Sequence, residues 1–90
     1  MFQIVYVLQS EVNDSFYVGY TGNVKRRLEE HNFGLNQSTK SKQPWRLIFF
    51  EAYLSKKDAE RREKYLKTSQ GMRLLKRMLK EYLYQQEAGQ

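Results

Sequence analysis

The stretch Ser15–Asn32, SFYVGYTGNVKRRLEEHN, decides the fold. A short aromatic strand runs into a Thr-Gly-Asn turn, and the turn opens a helix that Thr21 or Asn23 can cap. At about 100° per residue, Val24, Leu28, Arg27 and His31 share one arc roughly 100° wide. Lys25, Arg26, Glu29, Glu30 and Asn32 take the remaining circumference. A guanidinium and an imidazole therefore stand where apolar side chains belong.

Before this stretch, Phe2 to Gln9 carries large β-formers on both faces, as an interior strand does. The polar connection Glu11 to Asp14 is short enough to imply an antiparallel hairpin. A register with Tyr6 opposite or diagonal to Tyr17 puts both phenols on one sheet face. After it, Gly34 is a helix stop signal, and residues 34 to 43 read as a mobile polar loop. Pro44 introduces a third strand, WRLIFFEAY, in which Trp45, Leu47 and Phe49 alternate with Ile48 and Phe50.

Ser55 and Asp58 form a capping-box-like pair at the start of a charged helix. Ala59 and Leu66 mark its thin apolar stripe, and Glu63 falls between them. Thr68 to Gly71 reads as a break. A last helix runs from about Met72 to Tyr84, apolar over half its surface, with Arg73, Lys76, Arg77 and Lys80 opposite. The expected order is β-β-α-β-α-α, an α+β domain with a small three-stranded mixed or antiparallel sheet flanked by helices. One domain over residues 1–84 and a frayed tail over 85–90 are expected.

The ninety residues contain no cysteine and one histidine, which removes disulfides, thiol catalysis and the usual Cys/His zinc sites. The apolar start MFQIVYVLQS lacks a charged leader and a cleavage site, so it reads as strand rather than signal peptide. No apolar run spans a bilayer, and a cytoplasmic location is expected. Sixteen Lys and Arg against ten Asp and Glu leave a net charge of +6, which favours a polyanionic partner, most often nucleic acid.

Arg27, His31 and Glu63 thus lie at inward positions on two helices. Burying one unpaired ion costs several kcal/mol, comparable to the stability of a small domain. They must pair, for example Glu63 with Arg27, or line a wet cleft. No serine or cysteine nucleophile system, paired glycosidase carboxylates or phosphate-cradling glycine loop accompanies them. One carboxylate, one arginine, a histidine and tyrosines suit phosphodiester hydrolysis with one hard metal ion.

These residues resemble the signatures of the GIY-YIG nuclease superfamily, in particular small stand-alone bacterial members related to the N-terminal nuclease domain of the excision-repair endonuclease. The first signature stands as Ile4-Val5-Tyr6 and the second, eleven residues on, as Tyr17-Val18-Gly19. The family's arginine lands on Arg27, its helix histidine on His31, and its metal-binding glutamate on Glu63, followed by Lys67. Ile4 replaces a glycine and Val18 an isoleucine of the signatures, and no asparagine follows Asn36.

The resemblance implies a metal-dependent DNA endonuclease with Tyr6, Tyr17, Arg27, His31 and Glu63 as catalytic set. Glu63 would hold one Mg²⁺ or Mn²⁺, Tyr17 or His31 would serve as general base, and Arg27 would meet charge on the phosphate. It implies 5′-phosphate and 3′-hydroxyl ends and a setting such as DNA repair or recombination. Lys40, Lys42, Lys67, Arg73, Lys76, Arg77 and Lys80 are candidate contacts to the DNA backbone, RNA being left open as a partner. Structure-selective or weakly sequence-specific cleavage is expected. The alternatives are a catalytically silent nucleic-acid-binding module and an accessory protein acting through a partner.

Overall fold

The computed structural model describes residues 1–89. Its elements are β1 (Gln3–Ser10), β2 (Phe16–Thr21), α1 (Val24–Asn32), a 3₁₀ turn (Lys40–Lys42), β3 (Trp45–Tyr53), α2 (Lys56–Leu66), α3 (Ser69–Met78) and α4 (Lys80–Ala88). The sheet order is β2-β1-β3 with both pairings antiparallel. The expected α+β architecture is therefore present, with a wholly antiparallel sheet and one helix more than the sequence suggested.

β1 is the central strand because both its faces are apolar. Val5 and Val7 are fully buried on one face, against Ala59 and Leu66 of α2 and Leu75 of α3. Tyr6 and Leu8 are buried on the other, with Trp45, Leu47, Tyr17 and the α1 residues Val24 and Leu28 around them. The hairpin turn closes through Ser10, whose hydroxyl accepts from the amides of Val12 and Asn13, while Asp14 takes φ 64°. Asp tolerates that left-handed conformation better than most residues.

In β3 the expected alternation fails at one point. Val7 pairs with Phe49 but Leu8 pairs with Leu47, a bulge that sets two β3 residues against one of β1. Trp45 and Leu47 consequently pack on the α1 side, whereas Ile48 and Phe49 pack on the α2–α3 side.

Three other local expectations change. Ser55 precedes α2 without a side-chain cap bond, and the Asp58 carboxylate meets Arg61 at 2.6 Å instead of reaching back to Ser55. The break before the last helices is confined to Lys67 and Thr68. Thr68 caps α3 by accepting from the Gly71 amide at 3.0 Å, so Gly71 lies inside a helix. The long terminal helix is divided at Leu79, and α4 continues to Ala88, through most of the stretch expected to fray. Gln9 explains the continuation: it exchanges amide hydrogen bonds with Gln86 at 3.1 Å and accepts from the Tyr82 hydroxyl. Gln90, the end of that expected tail, lies outside the described residues.

Residues 34–43 are also more tied down than a polar composition suggests. Thr39 is buried, its carbonyl accepts the Trp45 indole N–H at 3.0 Å, and Ser10 Oγ donates to the Lys42 carbonyl at 2.6 Å.

Candidate active site

The site forms where the two helical layers meet around the free edge of β2. Tyr6 pairs across the hairpin with Gly19 and Leu8 with Tyr17, so the two tyrosines are diagonal neighbours on one face. Their ring centroids lie 6.4 Å apart. Gly19 is required here, since a Cβ at that position would stand 2.5 Å from Tyr6 Oη. The tyrosine ring lies over the space that any other residue would fill.

α1 starts two residues past β2, with Asn23 accepting from the Arg26 amide at 3.1 Å. That cap sets the helix phase and turns Arg27 and His31 towards the tyrosines. His31 is fully buried. Its Nε2 is 3.1 Å from Tyr6 Oη and its Nδ1 is 2.7 Å from Thr39 Oγ1. Its ring also meets Tyr17 edge-on, with centroids 4.8 Å apart. An imidazole enclosed in this way is hydrogen-bonded towards the cleft through Tyr6.

Tyr6, Tyr17, Arg27 and Glu63 line one open cleft of about 420 Å³, together with Gln3, Arg26 and Lys56. The cleft thus gathers four of the five expected catalytic side chains, with His31 behind them. Arg27 and Glu63 do not pair with each other. Arg27 Nε is 3.1 Å from Glu30 Oε1, a charge contact too poorly aligned to satisfy the buried Nε–H. Glu63 Oε2 is 3.2 Å from Lys67 Nζ, and the carboxylate side chain is 16% exposed. The inward placement inferred for both is met by a wet cleft rather than by a mutual ion pair.

Among the cations expected to touch nucleic acid, Lys67 joins the site through Glu63. Lys40, Lys42, Arg73, Lys76, Arg77 and Lys80 are exposed and lie outside the cleft lining. Sequence reasoning missed Arg26 and Lys56, which stand in the first turns of α1 and α2. Outward helical phase hid Arg26, whereas Lys56, seven residues before Glu63 on the same helix face, is one of two adjacent lysines that nothing local distinguishes.

Burial, and next Tyr17, push the Tyr6 phenol far above its ordinary range, against the pull of the Arg27 cation. Burial, and next Arg27, hold the His31 imidazole below its ordinary value, with Glu30 opposing. Tyr6 and His31 are therefore both neutral at pH 7. In the unfolded chain His31 binds its proton near pH 6.5, whereas the folded chain resists it. Stability attributable to His31 is then complete above about pH 6.5 and is lost as pH falls towards the folded value, by up to about 1.4 kcal/mol per pH unit. Urea midpoints measured between pH 5 and 7.5 are expected to fall more steeply for the natural chain than for His31→Gln. Parallel slopes would remove His31 as the cause.

The donor set suits one kind of metal. Among the described residues no three His, Cys, Asp or Glu side chains cluster. A single carboxylate in a roomy polar cleft matches a hard cation that keeps most of its waters, such as Mg²⁺ or Mn²⁺. It does not match zinc, which takes three or four protein ligands.

A family model described as the GIY-YIG catalytic domain matches residues 2–75. A UPF0213 protein of Clostridium perfringens is 33% identical over 88 residues, 92% of this chain and 94% of its own length. A UPF0213 protein of Natronomonas pharaonis is 38% identical over 86 residues, 94% and 93% of the two chains. The solution NMR structure of the UPF0213 protein BH0048 from Bacillus halodurans superposes with a TM-score of 0.55 at 32% identity, covering 87% of this chain and 85% of that one.

Proposed function

Because the chain belongs to the GIY-YIG family, whose domain is of nuclease type, we propose that it is a metal-dependent DNA endonuclease, structure-selective or weakly sequence-specific. The observation that carries this reading is the convergence of Tyr6, Tyr17, Arg27 and Glu63 from β1, β2, α1 and α2 on one cleft.

In this reading a phosphodiester enters the cleft between Arg27 and Glu63. Arg26, Arg27 and Lys56 attract it, and Arg27 donates to the phosphate oxygens as negative charge builds on them. Glu63 would hold the Mg²⁺ or Mn²⁺, and Lys67, 3.2 Å away, orients the carboxylate. When bound, the ion neutralises phosphate charge and so lowers the barrier to attack. Tyr17, whose hydroxyl has no hydrogen-bond partner among the described residues, releases its own proton to solvent and takes one from the attacking water, and the departing 3′ oxygen is protonated by water. His31 acts from behind, on Tyr6. The exposed cations Lys40, Lys42, Arg73, Lys76, Arg77 and Lys80 hold the DNA backbone farther out, which gives salt-dependent affinity without sequence information.

Cleavage of supercoiled, flapped and branched DNA with Mg²⁺ or Mn²⁺ tests this. Tyr17→Phe is expected to slow cleavage about a hundredfold or more, and Arg27→Ala about 10²–10³-fold, both with unchanged circular dichroism. Full-rate cleavage by either folded variant would sink its assignment. Salt-dependent DNA binding without cleavage of any substrate would identify a silent binding module instead.

A further inference from the structure

Thr39 is a residue for which the proposed chemistry has no role. It sits in the 3₁₀-flanked loop that the sequence marks only as polar, yet it is 1% exposed. Its carbonyl accepts the Trp45 indole N–H. Asn32 further anchors the loop's end, accepting from the Trp45 amide at 2.5 Å and donating to the Trp45 carbonyl at 3.0 Å. The threonine hydroxyl is thus held in one place, 2.7 Å from His31 Nδ1.

We propose that Thr39 is a positioning residue that fixes His31 in the Nδ1–H tautomer, so that the Tyr6 hydroxyl gives its proton to His31 and presents its lone pair to the cleft. The Thr39 end of the chain of hydrogen bonds leads to this tautomer. At one end, Thr39 Oγ1 lies 3.4 Å from the Asn36 carbonyl, which can only accept. The hydroxyl proton goes there, leaving Oγ1 to accept from Nδ1–H. At the other end, Tyr6 Oη lies 3.1 Å from Nε2 and lines the open cleft, so an unprotonated Nε2 can take its proton. With Nδ1 carrying the hydrogen, every member is satisfied from Asn36 through Thr39 and His31 to Tyr6.

The functional consequence rests on the nuclease reading. An outward lone pair on Tyr6 lets it accept a hydrogen bond from the attacking water, next to Tyr17. The opposite tautomer would aim the Tyr6 O–H into the cleft as a donor, and the water would be held the wrong way round.

His31 is the only histidine in the chain, so its tautomer can be read without ambiguity from the ¹⁵N shifts of a single imidazole. Wild-type protein at pH 7.5 is expected to show Nδ1–H alone. Thr39→Val, which keeps the shape and removes the hydroxyl, is expected to give a mixture or the Nε2–H form, and Thr39→Ser to restore the original spectrum. In cleavage assays Thr39→Val should lower kcat about tenfold with little change in KM, as loss of one supporting hydrogen bond implies, and Thr39→Ser should recover it. A wild-type spectrum of the Nε2–H form overturns the proposal, even if Thr39→Val fails to fold. So does a Thr39→Val protein with an unchanged tautomer. The spectra need no DNA: absence of cleavage in wild type, with the Nδ1–H form observed, would reject the nuclease reading and leave the tautomer assignment standing.

Discussion

Glu63→Gln is expected to cut Mg²⁺-dependent cleavage by about 10²–10³-fold or more while leaving the fold intact. The substitution keeps the shape of the side chain and removes the one carboxylate facing the cleft, and a single lost electrostatic contact at a reacting phosphate has an effect of that size. Stability should hardly change, because the partner Lys67 is half-exposed on the next helical turn. Such i,i+4 pairs contribute only about 0.3–0.5 kcal/mol. The paired measurement is Mn²⁺ binding by electron paramagnetic resonance, where the affinity should fall in parallel. Cleavage and Mn²⁺ affinity both retained by folded Glu63→Gln would sink the metal assignment. A collapse of thermal stability would mean that Glu63 serves the fold instead.

Gly71→Ala is expected to destabilise the protein by about 3 kcal/mol, reversing the usual sign of this substitution. In an exposed helix interior, Gly to Ala stabilises by roughly 1 kcal/mol through propensity. In α3, a Cβ at Gly71 would run into the backbone carbonyl of Tyr65 and crowd Leu66 Cα. Backbone at the end of α2 cannot swing aside as a side chain can, so α3 would have to lift off, uncovering Leu66 and Leu75. Overpacking of this kind costs about 1–3 kcal/mol and more where nothing yields. For a domain of this size about 3 kcal/mol corresponds to a drop of roughly 15 °C in Tm. An unchanged or higher Tm would mean that the two helices can separate freely.

What was legible in the sequence was whatever left a period or a fixed spacing. The two strands and their brief connection imply the hairpin, and the hairpin implies the diagonal tyrosines. Angular position alone brings Arg27 and His31 inward on α1, and sets Glu63 within about 60° of Ala59 and Leu66, both fully buried. The missed features share a cause: each depends on a contact between segments that local pattern does not encode. Thr39 looks like any loop threonine until Trp45 and His31 are folded against it. Gly71 reads as the end of a break between helices, whereas here it lies inside α3 and permits close approach of two helices. Arg26 faces outward by helical phase and still borders the cleft. The boundary at Leu79 is hidden because apolar residues continue on both sides of it.

The bulge in β3 acts as a parity switch. Before it, odd-numbered residues belong to the layer holding Trp45, and through Trp45 to the Thr39 and His31 side of the site. Beyond it, odd-numbered residues belong to the opposite layer, where Glu51 accepts from Arg62 of α2 at 2.6 Å. One strand thereby serves two masters, half its length securing the imidazole and half securing the helix that carries Glu63. Deletion of Phe50, beyond the bulge, would turn Glu51 to the Trp45 side and take it away from Arg62. The two halves of the site are thereby tied to one count of residues along β3.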